Sequence, residues 1–436
     1  VLLALLLAAA PIHYRVVASG GAKTLSVEVK VPAGYGPSFS LDERVAGFVD
    51  KPANGAGMPC SPKGCTLRYR FRLADAAEQL QSRAWAFADG EGLYASPSTW
   101  LVKPNTAPAD ARFSLSVELP KGWSFVTGLH HAAAVGTWEG PLTALDDAPW
   151  SGFAAFALSS VSVGGAKLEV AIAPGALALT PEQVRAWVSR SAGLVSMFYG
   201  RFPVSQAAIL VLPSNGDGVG FGTAMGNGGA SVLIWVGATA TPDALAHDWV
   251  LPHELTHFAF PSLPRENNWL EEGLATWVEP LIRVRMGEIS ADEFWATLIA
   301  KLPLGLPAKG DEGLDHTPTW GRTYWGGALF CFVAELEIRA ATKNLKGLDA
   351  ALRAVVAAGG NQEAAWPIAR ALEVGDAALG TPVLGPLHER LGGAPGDVDL
   401  PALFKRLGVA VVKGKVVYDD EAPDAAIRKA LTARIP

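Results

Sequence analysis

His253 and His257 stand four residues apart in the run His253-Glu254-Leu255-Thr256-His257. On an α-helix this spacing sets both imidazoles on one face. Two imidazoles so placed can take two corners of a tetrahedral zinc site. Glu254 is displaced round the helix from those corners, yet it can reach a metal-bound water, which is where a general base for metal-assisted hydrolysis belongs. A third ligand is expected from a carboxylate on a following helix. The downstream candidates are Glu266, Glu271, Glu272 and Glu279. Glu271 and Glu272 lie in Trp269-Leu270-Glu271-Glu272-Gly273-Leu274-Ala275-Thr276. Adjacent helical residues diverge by about 100°, so only one of them faces the metal. Glu272 is taken as the ligand, with Glu271 as the alternative.

These residues need helices to carry them. Thr241-Pro242-Asp243 is expected to open the helix leading into HELTH, and Pro252 to kink or restart it just before His253. The Glu272 helix carries Pro280 and is expected to end near Gly287. Upstream, Thr180-Pro181-Glu182-Gln183 has the form of a capping box with Pro at the first helical position. Ser290-Ala291-Asp292-Glu293 caps a helix beyond the motif. A loop of about twenty residues then runs to Tyr324, and loops of this length inside a compact domain tend to be functional. Amide hydrolysis builds an oxyanion that needs a second donor beside the metal. Tyr324 is the sole tyrosine between the metal motif and Tyr418 and is the candidate. His316 is the runner-up donor, and Arg322 is a candidate partner for a substrate carboxylate. His388 stands isolated and is read as structural.

HELTH followed by WLEEGLAT resembles the gluzincin metallopeptidases, as found in the aminopeptidase N-like and glycyl aminopeptidase-like families. The resemblance implies zinc held by His253, His257 and Glu272, with Glu254 as base and a tyrosine at a downstream helix start as oxyanion donor. It implies a thermolysin-like catalytic domain and peptide or protein substrates. Fourteen residues separate His257 from Glu272, a shorter spacer than in aminopeptidase N-like enzymes. Those enzymes also carry a Gly-Ala-Met-Glu-Asn strand edge before the metal motif, whose Glu holds the substrate's free amine. Here Gly222 to Asn227 include Ala224-Met225-Gly226-Asn227, so Gly226 stands where that Glu would be. Gly222, Ala224, Met225, Gly226 and Asn227 are therefore expected to line the substrate. Glu271 and Asp217 are the candidates to stand in for the missing carboxylate, and the sequence shows neither doing so. Aminopeptidase-like action is the leading reading. An endopeptidase indifferent to a free N-terminus, or an exported binding protein with a vestigial site, are the alternatives.

The chain has 436 residues, enough for two or three domains. Half are hydrophobic, 18% are charged and the net charge is −6. No basic block appears, so nucleic acid is not an expected partner. VLLALLLAAAP is too short to span a bilayer and reads as a truncated signal-peptide remnant over residues 1–12. The protein is thus expected to be exported, to the periplasm or beyond the cell, with no stable membrane insertion after the signal is removed. Cys60 and Cys65 then read as a small disulfide loop and Cys331 as a buried apolar residue. Residues 13–165 alternate polar and apolar positions between Gly/Pro turns and read as β-rich. In this stretch His130 and His131 are adjacent on a strand, point to opposite faces and are set aside. The expected fold class is α+β. It comprises a β-rich N-terminal domain (13–165), a thermolysin-like zinc peptidase domain (166–334), and a helical C-terminal domain with a small hairpin (335–436). Oligomeric state is not legible in the sequence.

Overall fold

The computed structural model describes residues 9–50 and 57–434. Most of the expected signal segment lies outside the described residues. At its end Ile12 already begins a strand, Ile12–Ser19. No helix among the described residues is long and apolar enough to cross a membrane.

The alternating segments form strands as the period-two pattern requires. Ile12–Ser19 pairs antiparallel with Thr24–Val31 and parallel with Arg112–Glu118. Thr24–Val31 pairs in turn with Cys65–Arg72, inside a six-stranded sheet. Apolar side chains such as Tyr14, Val27, Phe71 and Phe113 fill the core on one side. The disulfide Cys60–Cys65 closes at the edge of this region, and Cys331 is fully buried in a helix.

A second, five-stranded sheet runs in the order Ala157–Val163, Ala166–Ile172, Gln206–Ser214, Ala230–Gly237, Val219–Gly226. Its three inner strands are parallel and nearly continuous in apolar residues, as buried parallel strands are. The Gly-rich stretch is a strand here. Val219–Gly226 lies antiparallel to Ala230–Gly237 at the end of the sheet order.

Contacts divide the chain into two compact units. The first gathers the residues up to Val161, Lys167–Arg185 and Gln206–Leu245. The second gathers Ser162–Ala166, Ala186–Ser205 and Ala246–Pro436. This division differs from the three expected domains. The five-stranded sheet belongs with the N-terminal strands, through a shared core containing Tyr94, Trp150, Leu210 and Leu233. The boundary expected at 334/335 falls inside one helix, Gly327–Ala341, which packs along the helix Asn268–Met286.

The expected caps are present. Thr180 and Gln183 exchange two hydrogen bonds (2.8 and 3.3 Å) ahead of the helix Pro181–Tyr199, which begins in the first unit. Ser290 Oγ accepts from Glu293 N at 3.0 Å ahead of Ala291–Lys301. The C-terminal region is helical, with helices Leu348–Ala357, Ile368–Leu379, Leu384–Leu391, Leu400–Leu407 and Ala425–Leu431. Its hairpin turns at Lys413 and Gly414, both with positive φ (50° and 77°), the backbone of a two-residue hairpin turn. The mixed sheets and helical C-terminal region make this an α+β protein.

Candidate metal centre

The helix opened by Thr241 does not run into HELTH. It covers Pro242–Ala246 and stops, and a new helix, Val250–His257, carries the motif. Asp248 starts that helix. Its two carboxylate oxygens accept from Val250 N (2.8 Å) and Leu251 N (3.0 Å), and Oδ2 also accepts from Trp187 Nε1 at 3.0 Å. These bonds satisfy N–H groups that no helical carbonyl can reach. Pro252 then sits in the first turn, where its missing N–H leaves nothing unpaired. Asp248 was not identified from the sequence. An Asp two residues before a segment with Pro in its first turn was the available signal.

The Glu272 helix spans Asn268–Met286, tolerates Pro280 and ends at Gly287, which adopts the left-handed conformation (φ 76°). The two helices bring His253, His257 and Glu272 together. One ligand atom from each lies within 4.8 Å of the others. Glu272 Oε2 is 3.6 Å from His253 Nε2 and 3.5 Å from His257 Nε2. Such separations are longer than an ordinary N–H···O bond. They match the edge of a tetrahedron with metal–ligand bonds of about 2.0–2.1 Å, an edge of roughly 3.3–3.4 Å. The donor set of two imidazole nitrogens and one carboxylate oxygen is one that zinc takes. The residues present therefore fit a zinc ion.

Electrostatics agree with an anionic Glu272. Burial opposes its ionisation, but the two imidazoles hold its carboxyl far below the ordinary range. Burial likewise works against charge on His257, yet Glu272 foremost, then Glu254 and Glu271, push its pKa up to about 9. Glu271 points elsewhere. Its Oε1 accepts from Leu263 N at 2.9 Å, tying the loop between the two helices. Burial raises its pKa to about 7. Glu271, expected to bind substrate, thus has one of its oxygens engaged by the loop backbone. Glu254, one residue after His253, is buried.

Tyr324 lies in a π-helical turn, Gly321–Gly326, that packs against the Glu272 helix. Such turns recur at functional sites. Burial, then the charges of Glu272 and Glu254, raise its phenol to about 12, so it keeps its proton at neutral pH. The close approach depends on glycine. A Cβ on Gly273 would meet Gly327 Cα and C at 2.3 Å, and one on Gly327 would meet Trp269 O at 2.1 Å. The two backbones touch where Glu-Gly of one segment meets Gly-Gly of the other.

Two weaker expectations are overturned. Arg322 is not open to a substrate carboxylate. It is buried, Nη1 donates to Gly305 O at 2.6 Å, and Nε pairs with Asp311 at 2.8 Å. His316 is exposed. His388 is not isolated. Its Nε2 lies 2.9 Å from Asp315 Oδ2 and its ring stacks on Trp269, with centroids 6.2 Å apart and planes 14° from parallel.

The residues expected to line substrate lie in the first unit. Gly222, Ala224, Met225 and Gly226 pair with Ile234, Val232, Ser231 and Ala230. Asn227 begins the turn that follows, with its side chain donating to Thr143 O at 3.2 Å. The outer side of this strand carries no partner strand among the described residues.

No protein-family model matches the sequence, and no curated protein matches it. Solved structures do resemble the fold. An aminopeptidase N family protein from Idiomarina loihiensis superposes with a TM-score of 0.66 at 12% identity, covering 94% of this chain and 82% of that one. An M1 zinc metallopeptidase from Deinococcus radiodurans superposes with a TM-score of 0.54 at 18% identity, covering 88% of this chain and 92% of that one. A variant of an M1 zinc metallopeptidase from the same organism, bound to a Tyr-Ser-Ala substrate, gives 0.53 at 18% identity, covering 88% and 93%. At these identities the likeness establishes the fold. The chain folds as the aminopeptidase N family and M1 zinc metallopeptidase structures do.

Proposed function

We propose that the protein is a gluzincin-type zinc metallopeptidase with aminopeptidase-like action. The observation that carries this reading is the convergence of His253, His257 and Glu272, with Glu272 at tetrahedral-edge separations from both histidines and Glu254 on the first helix. His253, His257 and Glu272 would hold a zinc ion, which would supply Lewis acidity toward a carbonyl and lower the pKa of water toward neutrality. Glu254 takes the proton of the attacking water and delivers one to the leaving amine. Tyr324, protonated at neutral pH, donates a hydrogen bond to the oxyanion that develops on the carbonyl. The strand Val219–Gly226 offers backbone groups with which an extended peptide can pair.

The substrate class is supported by the D. radiodurans structure with a bound tripeptide. Export is part of the same reading, and the Cys60–Cys65 disulfide supports an oxidising compartment.

Mass-spectrometric mapping of cleavage on peptides with free and acetylated N-termini, with and without chelator, tests the proposal. Chelator-sensitive trimming of the free peptides alone is the expected result. Internal cuts in the acetylated peptides would instead favour the endopeptidase reading that Gly226 suggests. Cleavage that chelator does not touch would refute both.

A further inference from the structure

The long loop between Ala291–Lys301 and Tyr324 is fastened at an aspartate that the proposed reaction does not use. Asp315 Oδ1 accepts from Asn267 Nδ2 and from Trp269 Nε1, both at 2.8 Å. Its Oδ2 lies 2.9 Å from His388 Nε2. Burial acts against its charge, but His388, Trp269 and Asn267 together hold its carboxyl below the ordinary range. The carboxylate is thus the acceptor in all three bonds, and His388 donates from Nε2.

The three donors come from two places. Asn267 is the residue just before the Glu272 helix, and its side chain makes no cap bond to that helix. Trp269 lies in the first turn, three residues before Glu272, and is buried. Its carbonyl is the atom against which Gly327 packs. His388 belongs to the C-terminal helix Leu384–Leu391 and stacks on the Trp269 ring. The loop is also zipped to that helix's end, with Leu314 N donating to Leu391 O at 3.0 Å and Asp315 N to Gly392 O at 3.1 Å. Nine residues after Asp315 comes Tyr324. One carboxylate therefore ties together the start of the Glu272 helix, the loop that delivers Tyr324, and a helix more than a hundred residues along the chain from Glu272.

We propose that Asp315, oriented by His388, is a positioning residue that fixes the first turn of the Glu272 helix and hence the placement of Glu272 relative to His253 and His257. It touches neither metal nor substrate. It acts through Trp269 and Asn267, and the C-terminal helical region thereby contributes to the metal centre. A bidentate carboxylate with three donors suits this role because it restrains rotation as well as translation of the turn it grips.

The inference rests on the metal-site reading above, and the test separates the two. The full chain and its Asp315→Ala, His388→Ala and His388→Gln variants are titrated with zinc and, separately, with cobalt(II), whose visible absorption reports ligand geometry. Leu379→Ala, a buried residue of the helix Ile368–Leu379, controls for general destabilisation. Asp315→Ala is expected to weaken zinc binding about tenfold or more, to change the cobalt spectrum, and to lower kcat with little change in KM. His388→Ala should show part of this effect. His388→Gln, which keeps an N–H donor, should recover most of it. Leu379→Ala should lose thermal stability with zinc affinity and spectrum unchanged. If Asp315→Ala matches Leu379→Ala in affinity and spectrum, Asp315 is only structural and the inference fails. If the unsubstituted protein takes up neither metal, the metal-site reading itself fails.

Discussion

Replacing Gly273 by alanine places one methyl group between two backbones. The added Cβ would lie 2.3 Å from Gly327 Cα and C. Carbon atoms rest at about 3.5–4.0 Å, so the helices Asn268–Met286 and Gly327–Ala341 must part by more than an ångström at this point. Nothing at the contact can yield locally, because both atoms are backbone. Glu272 is the residue before Gly273, and Tyr324 is three residues before Gly327. The displacement is therefore delivered to the separation between the ligand carboxylate and the phenol. A misplacement of about 1 Å can cost on the order of a hundredfold in rate. Overpacking costs about 1–3 kcal/mol, and exchanging Gly for Ala within a helix returns up to about 1 kcal/mol. The variant should thus fold with a modestly lowered Tm. It should keep zinc, since His253, His257 and Glu272 are all retained. It should lose about a hundredfold in kcat on an aminoacyl anilide, with KM changed far less. Metal content, Tm and kcat measured on one preparation check each part. A zinc-loaded Gly273→Ala protein with kcat within a factor of about three of the parent would refute the idea that this crossing sets Tyr324, since the displacement predicts far more.

Glu254→Gln should retain zinc and lose about 10²–10⁴-fold in kcat, as removal of a general base does, measured by anilide turnover beside metal analysis. Glu272→Ala should lose zinc on dialysis while Glu271→Ala keeps it, because the Glu271 carboxylate serves Leu263 N; the opposite pattern would reassign the ligand. Glu279 titrates in a way that shows in stability. Burial raises its pKa to about 7 against the pull of Arg283, with Asp248 and Glu288 adding to the rise. The folded state then holds a proton that the unfolded chain releases near its ordinary value, so this residue's contribution to stability declines as pH rises from about 4.5 through about 7. Glu279→Gln removes that slope, amounting to at most about 3 kcal/mol over the interval. Denaturant melts of the two proteins at pH 5 and pH 8 should converge or cross accordingly, and parallel losses in both would contradict the assignment.

The two histidines and the segment that brings the carboxylate were legible before any fold was known because their information is local. Two histidines at i and i+4 share a face in any α-helix, whatever surrounds it, and a carboxylate followed by Gly273 marks the partner helix. The caps at Thr180 and Ser290 and the alternating strands were legible for the same reason, since each depends on neighbours within a few residues. The sequence could narrow the third ligand to Glu271 or Glu272 but could not separate them by spacing alone. The choice fell to the loop closed by Leu263, a partner eight residues away whose position depends on how the two helices meet. Non-local geometry also decided what Arg322 does, why Gly273 and Gly327 must both be glycine, and that His388 is bonded to Asp315. Period and propensity describe a chain's relation to itself over one or two turns. Which side chain faces which across a helix crossing is set by packing between segments far apart in sequence, and that was available only once the chain was folded.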